Sequence, residues 1–406
     1  MSRARLVALI MGLCVIGDSM LYTALPACFM DIGLDAQTTG AILSVNRFAR
    51  LLFNPAAAVV LLRLGQKRTA VVAACLAVFT TMGYSFVTTP AAWLTLRVLW
   101  GLSWSLIRLT AFVVTLSEVR ETRRGEALGG MQRLVRLGSL AGAFGGGFLL
   151  DLVGFRSTAR ILGTLTCVAV LLSLVLRVPK PQEEQISGSR PALSLRQVPP
   201  LLKQGWPVYS SALLSAVAIG GVFISTAGVL LRSRVVSHGL VFAGVGLGTL
   251  TGFVQASRWA SDILLAPLVG RLSDRLGRAL PLALIYSLQL FAACAILFSQ
   301  GVLAAVAAGV LMFSAQAVAL VVLSSAAADV GAGEKSALSM TMYSTCLDLG
   351  EATGPILAYS LLDFGLARTY SLGTIGIGAL ALFWGFGLYT RLLKKADAQD
   401  PAEDKN

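Results

Sequence analysis

Long hydrophobic runs separated by short polar intervals dominate this chain. A membrane-spanning helix needs roughly 20 mostly apolar residues, and twelve runs reach that length. In chain order, spans one to twelve lie at approximately 6–30, 40–62, 69–88, 91–118, 125–151, 157–178, 205–232, 240–270, 279–299, 301–328, 336–362 and 367–390. The first run follows Arg3 and Arg5, as a secretory signal would, but it is too long for the apolar core of a signal peptide. The pattern predicts an all-α polytopic membrane protein with twelve transmembrane helices.

The longest polar interval divides the spans into two groups of six. Its sequence, PKPQEEQISGSRPALSLRQVPPLLKQ, combines five prolines with mixed charges, which suits a solvated linker better than a helix in lipid. The predicted units are an N-terminal six-helix bundle at 1–178, a cytoplasmic linker at 179–204, a C-terminal six-helix bundle at 205–395 and a cytoplasmic tail at 396–406.

An internal repeat supports this division. When the first half is shifted by 212 residues, Pro55 aligns with Pro267 and Gly65 with Gly277. With the same shift, the Leu-Leu-Asp of span five at 149–151 aligns with the Leu-Leu-Asp of span eleven at 361–363. One offset that matches in separate regions indicates two pseudo-symmetric bundles related by an axis along the membrane normal.

The positions of the charges predict an orientation. Hydrophobic residues make up 56% of the 406 residues and charged residues only 13%, whereas soluble proteins carry about 25% charged residues. Of the 33 Lys and Arg residues, 21 lie on the side of the termini, five on the opposite side and seven inside spans. The positive-inside rule therefore predicts cytoplasmic termini. The positions of the charges therefore indicate that the net charge of +13 orients the chain and contacts anionic lipid headgroups, and that it does not form a nucleic-acid site.

Chemistry typical of enzymes is missing from the sequence. The single histidine, His238, lies in an external loop, and the glycines of AGVGLG at 243–248 fall inside a span rather than after a strand. The six cysteines are scattered singly through apolar spans, which indicates neither disulfides nor a zinc site. We therefore predict that the protein is not an enzyme and binds no metal, cofactor or nucleic acid. Active transport would then draw its energy from an ion gradient.

Several motifs resemble those of the major facilitator superfamily. The segment GRLSDRLGR at 270–278, between spans eight and nine, is similar to the family's loop signature G-x-x-x-D-R-x-G-R. Span four carries Arg97 and Gly101 in the family's R-x-x-x-G pattern. Span five keeps the glycine spacing associated with the antiporters of the family, although Ala143 replaces its proline. The resemblance covers the whole chain and implies the twelve-span drug:proton antiporter branch.

The loop signature also predicts a cytoplasmic latch that holds one conformation. We expect Asp274 near the start of the next helix, tethered by the two arginines; the latch residues are Gly270, Asp274, Arg275, Gly277 and Arg278. The corresponding loop of the first half, AVVLLRLGQKR, has Ala58 and Leu62 in place of the glycine and the acid. We expect a weaker latch there, or one shifted to Glu118 and Glu121. A loop that obeys only the positive-inside rule is the alternative.

Charged residues inside spans carry the sharpest functional prediction, because an ionisable group at membrane depth is costly and usually has a partner or faces a cavity. The offset of 212 aligns Arg50 with Asp262 and Arg136 with Asp348, so both positions are charge-inverted. The resemblance implies that span two packs on span eleven and span five on span eight. We therefore predict two bundle-crossing ion pairs, Arg50 with Asp348 and Arg136 with Asp262. These ion pairs either link the bundles permanently or exchange partners during transport.

Four embedded acids are proton-coupling candidates: Asp18, Asp348, Glu351 and Asp262. Asp18 has no obvious basic partner in the sequence and ranks first, although a packed structural acid is an equal alternative. Embedded arginines outnumber embedded acids by seven to four, which favours an anionic or zwitterionic substrate. The substrate-cavity candidates are Arg47, Arg97, Arg108, Trp104 and Tyr343. Arg97 is alternatively structural, and packing against lipid or core is the alternative for the aromatic residues.

Three functions remain open from the sequence. Proton-coupled efflux of a small amphiphilic compound ranks first because of the glycines in span five. Proton-coupled uptake of an organic anion ranks second because of the arginine surplus, and a non-transporting sensor that keeps the fold is the third. We expect a monomer in a bacterial inner membrane, with protons, membrane lipids and a small-molecule substrate as its partners.

Overall fold

The computed structural model of the chain describes residues 2–119, 123–176, 198–238, 245–331 and 335–399. The α-helices run Arg3–Cys28, Ala36–Gly83, Pro90–Ser117, Arg124–Val175, Val198–Ser215, Ile224–His238, Leu247–Leu264, Ala266–Leu276, Ala279–Phe298, Val302–Val330, Ser336–Leu362 and Leu366–Gln399, with a π-helix at Ala216–Phe223. Three of the first helices begin at side-chain caps, in which Ser2, Asp35 and Thr89 accept hydrogen bonds from backbone N–H groups of the first turn.

These helices form the twelve predicted spans. Within the described residues, eight helical segments are long and apolar enough to cross a membrane by themselves. Two of them, Ala36–Gly83 and Arg124–Val175, are each interrupted by one non-helical glycine and supply two spans apiece. Span eight is split into two shorter helices, and span eleven is less apolar because it carries two embedded acids. The predicted all-α architecture is confirmed.

The two repeat-related loops share a backbone conformation. Gly65, between spans two and three, has φ 77° and ψ 164°, and Gly277, between spans eight and nine, has φ 77° and ψ 170°. Positive φ is readily available only to glycine. Each loop therefore reverses the chain at one glycine.

Span eight and span seven differ from the sequence prediction. Span eight breaks at Leu265, because Pro267 in the first turn of the second helix lacks the N–H that would continue the first. Span seven begins at Val198, inside the range predicted as linker, since prolines are tolerated in a first helical turn. The rest of that linker, 179–197, lies outside the described residues. The last helix reaches Gln399, within the predicted tail.

The glycines of span five allow close contact with span one. A Cβ atom at Gly138 would lie 2.1 Å from the carbonyl oxygen of Gly12, and one at Gly142 would lie 2.3 Å from that of Ile16. In the second half, Gly354 of span eleven meets Gly221 of span seven in the same way, with 2.3 Å between a built Cβ and the Gly221 Cα. The two halves therefore repeat one packing scheme.

The halves touch each other most closely on the side away from the termini, which we call the far side. A Cβ at Gly147 of span five would lie 2.1 Å from the carbonyl oxygen of Gly248 in span eight. A Cβ at Gly228 of span seven would lie 2.6 Å from the backbone nitrogen of Ala27 in span one, and one at Gly40 of span two would lie 2.8 Å from the Cβ of Tyr359 in span eleven. Arg232 adds a bidentate ion pair with Asp31, at 2.8 and 2.9 Å. The far side is therefore closed.

A cleft of about 460 Å³ separates spans two, four and eleven on the side of the termini. Its walls include Asn54 and Pro55 of span two, Ser105 and Arg108 of span four, and Thr345 of span eleven. The halves thus meet closely on the far side, where a groove of about 650 Å³ lies beside Asp31 and Asp151, and they leave this cleft between them on the terminal side.

Candidate functional site

A central cavity of about 270 Å³ lies between the two halves. Its lining is unusually polar for an interior surrounded by apolar helices. The charged and polar lining residues are Asp18, Ser19, Tyr22, Arg47, Arg50, Trp104, Arg108, Gln132, Arg136, Ser139, Gln255, Arg258, Trp259, Ser344, Asp348 and Glu351. Ligand sites usually occupy about 300–1,000 Å³, so this cavity suits a compact ligand.

Two ion pairs join the halves at the predicted positions. Arg50 of span two donates to the Asp348 carboxylate of span eleven. Arg136 of span five lies 2.5 Å from Asp262 of span eight, and its guanidinium also lies over the ring of Trp259, 4.8 Å from the centroid. These contacts place four embedded charges at the interface between the bundles. Their role in transport is a separate question.

Glu351 of span eleven forms ion pairs with two arginines from different halves. Arg47 of span two forms an ion pair with its Oε2, and Arg258 of span eight lies 3.4 Å from its Oε1. The built Cβ of Gly220, in the π-helical part of span seven, would lie only 3.0 Å from the Glu351 side chain. The absence of a side chain at Gly220 therefore leaves room for this three-charge cluster.

Asp18 has a partner that the sequence did not suggest. Arg97 of span four donates to its Oδ1 at 2.6 Å and also to the backbone carbonyl oxygen of Ile42 at 3.0 Å. The prediction of an unpaired Asp18 is thus wrong, because three-dimensional packing brings span four against span one. Arg97 is 0% exposed and lies outside the cavity lining, which contradicts its prediction as a cavity residue.

Tyr22 connects the two clusters of the first half. The guanidinium carbons of Arg47 and Arg97 each lie 5.5 Å from its ring centroid, within cation–π range. Its hydroxyl accepts from Arg47 Nε at 3.3 Å and donates to the carbonyl oxygen of Leu43 at 2.8 Å. Tyr22 is one helical turn from Asp18, so helical spacing could have placed it on the same face.

Of the other residues predicted to line the cavity, three do so and one does not. Arg47, Arg108 and Trp104 line the cavity. Tyr343 does not, because it is only 4% exposed and its hydroxyl donates to the Leu320 carbonyl oxygen at 3.0 Å. Sequence reasoning missed Gln132, Gln255, Ser139 and Ser344 in the lining. Uncharged polar residues are common in spans, and only packing shows which of them face a cavity.

Positive charge exceeds negative charge around the cavity. Within the described part of the chain, six guanidinium groups line the cavity or pair with its acids: Arg47, Arg50, Arg97, Arg108, Arg136 and Arg258. Four carboxylates oppose them: Asp18, Asp262, Asp348 and Glu351. The surplus of two positive charges favours an anionic ligand. Arg133, another arginine embedded in span five, is exposed and outside this lining.

The GRLSDRLGR cluster lies away from the cavity, on the terminal side. Arg278 donates to Asp274 Oδ1 at 2.6 Å and to Asp329 Oδ2 of span ten at 2.9 Å. The hydrogen bond with Asp329, followed by that with Asp274, raises the pKa of Arg278. Asp274 lies in the last turn of the helix Ala266–Leu276, not at the start of the next one as predicted. The chain remains helical up to Gly277, so the signature is mainly helix.

The other residues of this cluster have smaller parts in it. Gly270 faces span ten, with 3.7 Å from a built Cβ to Val321, and Arg275 is exposed. In the first half, Glu118 accepts from the backbone N–H groups of Arg3 and Ala4, at 2.9 and 2.8 Å. It therefore caps span one. The other predicted acid, Glu121, lies outside the described residues.

Comparison with known proteins gives relatives in membrane transport. The chain is 25% identical over 287 residues to the multi-drug resistance efflux pump PmrA of Streptococcus pneumoniae, a match that covers 68% of this chain and 69% of the relative. It is 26% identical over 196 residues to the Staphyloferrin B transporter of Staphylococcus aureus, covering 46% of this chain and 44% of that protein.

Solved structures share the fold. The nucleoside transporter NupG superposes with a TM-score of 0.76 at 14% identity, covering 95% of this chain and 98% of NupG. A bacterial homolog of the human lysosomal transporter Spinster, inward-facing and unoccupied, gives 0.72 at 14% identity, covering 99% and 98%. The sequence model of the Major Facilitator Superfamily matches residues 7–263 and 248–406. This integral membrane protein therefore belongs to the Major Facilitator Superfamily, whose members are transporters rather than enzymes.

Proposed function

We propose that the protein exports small amphiphilic compounds with a negative or zwitterionic head group, by alternating access and in exchange for protons. The observation that carries this proposal is the central cavity, with its surplus of arginines and with ion pairs that cross between the halves. The 25% identical relative that is named as a multidrug efflux pump supports the direction. The terminal side is then cytoplasmic, and its cleft is the entry for the substrate.

Proton coupling follows from the acids in these pairs. Protonation of Asp348 or Glu351 removes the charge that holds an arginine of the other half, so it weakens a tie between the halves. Asp262 can act in the same way through Arg136. Asp18 acts differently, because its partner Arg97 belongs to the same half. We propose Asp348 and Glu351 as the residues that couple protonation to the movement of the halves.

Proton-coupled uptake of an organic anion is the second candidate. Glu351 is shared by Arg47 and Arg258, so its protonation leaves two guanidinium groups without a carboxylate. A proton and an anionic substrate would then favour each other's binding, which is the sign required for symport. The same charge balance thus supports the uptake alternative.

Flux into proteoliposomes under an imposed pH gradient distinguishes these functions. Naphthalenesulfonate is a suitable probe because it stays anionic and crosses lipid poorly. With an acidic lumen, antiport drives the probe inward, whereas symport requires an acidic exterior. A sensor gives no flux above that of protein-free liposomes, and that result would reject both transport proposals.

Conservative variants test the coupling residues. Glu351→Gln and Asp348→Asn should lose the dependence of flux on the pH gradient and keep exchange of the probe between the two sides. Asp363→Asn is the matched control, since Asp363 is exposed at the end of the same span. Unchanged gradient dependence in both cavity variants would reject these two acids as the coupling groups.

A further inference from the structure

Of the charged residues that line the cavity, Arg108 is the one that lacks a carboxylate partner in the part of the chain that the structure describes. The other arginines that line it, Arg47, Arg50, Arg136 and Arg258, each form an ion pair. Among the described residues, Arg108 forms no ion pair or hydrogen bond, and its guanidinium carbon lies 5.9 Å from the ring centroid of Phe112. An unpaired guanidinium at membrane depth is costly, which makes it a candidate for a bound anion.

The position of Arg108 is also suited to capture. It lines both the central cavity and the cleft on the terminal side, as do Ser344 and Asp348. A ligand that moves from the cleft to the cavity therefore passes this side chain. The negative charge of Asp348 is already compensated by Arg50, so it opposes an incoming anion less than a free carboxylate would.

A second donor lies one helical turn away. Trp104 lines the same cavity, and its indole Nε1–H is buried without a hydrogen-bond acceptor. A buried donor without a partner costs free energy that a ligand oxygen can recover. Trp104 and Arg108 are four residues apart on span four, so their side chains project from the same face of the helix.

We propose that Arg108 and Trp104 form the subsite that binds the acidic head group of the substrate. An anion with two or more oxygens, such as a carboxylate or a sulfonate, accepts from the guanidinium and from the indole N–H. An aromatic body fits the rest of the cavity, where Trp259 and Leu320 contribute apolar surface. The inference rests on the proposed function, because it names the substrate class of that site as a compact aromatic acid.

Equilibrium binding to the purified full chain in detergent tests the subsite with three probes of one shape. Naphthalenesulfonate, naphthylmethanol and naphthylmethylamine carry a negative, a neutral and a positive head group on the same ring system. The wild type should bind the sulfonate most tightly. Arg108→Gln should weaken sulfonate binding about tenfold or more, because hydrogen bonds to charged groups are the strong ones, and it should leave naphthylmethanol binding unchanged.

Matched variants separate a subsite from general damage to the protein. Arg133→Gln changes an exposed arginine on span five, outside the cavity lining, and should bind all three probes as the wild type does. Trp104→Phe keeps an aromatic ring and removes the N–H, so it should weaken sulfonate binding several-fold while keeping naphthylmethanol. Arg108→Lys keeps the charge and should recover part of the sulfonate affinity.

Three results would overturn the proposal: no preference of the wild type for the sulfonate, full sulfonate binding by Arg108→Gln, or equal loss of all three probes in that variant. Flux assays keep its failure separate from failure of the proposed function. Selective loss of sulfonate binding without any export in the wild type leaves the subsite and rejects efflux. Export by a protein that binds the sulfonate equally well with and without Arg108 leaves efflux and rejects the subsite.

Discussion

The carboxylate of Asp151 accepts hydrogen bonds from Thr249 in the first turn of the helix Leu247–Leu264, across the boundary between the two halves. Its Oδ2 accepts from the backbone N–H of Thr249 at 2.7 Å and from the Thr249 hydroxyl at 2.6 Å, and its Oδ1 accepts from the Gly248 N–H at 2.8 Å. An acid at a helix N-terminus satisfies free N–H groups and interacts favourably with the helix dipole. Here the acid and the helix belong to different bundles, so opening of the far side breaks the cap.

Asp151→Ala should therefore favour opening of the far side. Loss of a helix cap costs about 0.5–2 kcal/mol, which corresponds to a change of roughly twofold to thirtyfold in the equilibrium between the closed and open states. Cys28 reports on this change, because it is buried on the far side and lines the same groove as Asp151. In a chain whose other cysteines are replaced, its labelling by a membrane-impermeant thiol reagent should be faster in the variant.

The repeat provides the control for this experiment. Asp363 occupies the position in span eleven that Asp151 occupies in span five, but within the described residues its carboxylate accepts no hydrogen bond. Asp363→Ala should leave the labelling rate of Cys28 unchanged. Equal rates for the wild type and Asp151→Ala would show that the cap does not hold the far side closed.

Gly147→Ala should hinder closure of the far side. The added methyl group would lie 2.1 Å from the carbonyl oxygen of Gly248, a separation that backbone atoms cannot accept without a shift between the halves. We expect faster labelling of Cys28 and slower transport of any substrate. Gly145→Ala is the control two residues away, since nothing lies within 4 Å of its added methyl group. Similar behaviour of the two alanine variants would contradict this steric account.

The pair of Arg50 and Asp348 predicts strong coupling in a double-mutant cycle. Arg50→Met and Asp348→Leu each leave one embedded charge without its partner, which typically costs about 3–5 kcal/mol. The double variant replaces the pair with apolar side chains and should lose much less stability than the sum of the two. Thermal unfolding in detergent measures the stability lost in each of the three variants. Arg133→Met, at an exposed arginine, is the control. Additive losses would mean that the two charges act independently.

The carboxylate of Asp35 should make the stability of the protein depend on pH, and replacing the carboxylate with a neutral amide should remove this contribution. The backbone N–H and the hydroxyl of Thr38 donate to its carboxylate at the start of span two, and these hydrogen bonds lower the pKa of Asp35 below its ordinary value of 3.8. Because the folded pKa is lowered, the stabilisation is complete above the unfolded pKa and is lost as the pH falls through the folded value.

The measurement is the melting temperature between neutral and strongly acidic pH. Asp35→Asn keeps a capping side chain, so it should be nearly as stable as the wild type at neutral pH and lose less stability than the wild type on acidification. Asp35→Ala should be less stable at neutral pH. An identical acid-induced decrease in the wild type and in Asp35→Asn would contradict the role of this carboxylate.

The sequence could predict features that depend on periodicity and on the repeat. Hydrophobic runs gave the twelve spans, and the offset that aligns Arg50 with Asp262 led to specific residues at the interface. The partner of Asp18 could not be predicted in this way. Arg97 lies on span four with no repeat-related acid or base opposite it, and its contact with Asp18 depends on how spans one and four pack.

Other differences arose from local backbone chemistry. The signature GRLSDRLGR resembled a loop, yet it is helical up to Leu276, because a single positive-φ glycine is enough to reverse the chain. The sequence also could not show which neighbouring helix each glycine of span five contacts. Gly142 packs on span one and Gly147 on span eight, and spacing alone does not tell which neighbouring helix each glycine meets.

The cluster of Arg47, Glu351 and Arg258 has more cations than anions, so no arrangement of its side chains pairs every charge. Each oxygen of the Glu351 carboxylate contacts a guanidinium group of a different half, so a small shift of this side chain strengthens one contact while it weakens the other. The glutamate can therefore keep an arginine partner while the distance between the halves changes.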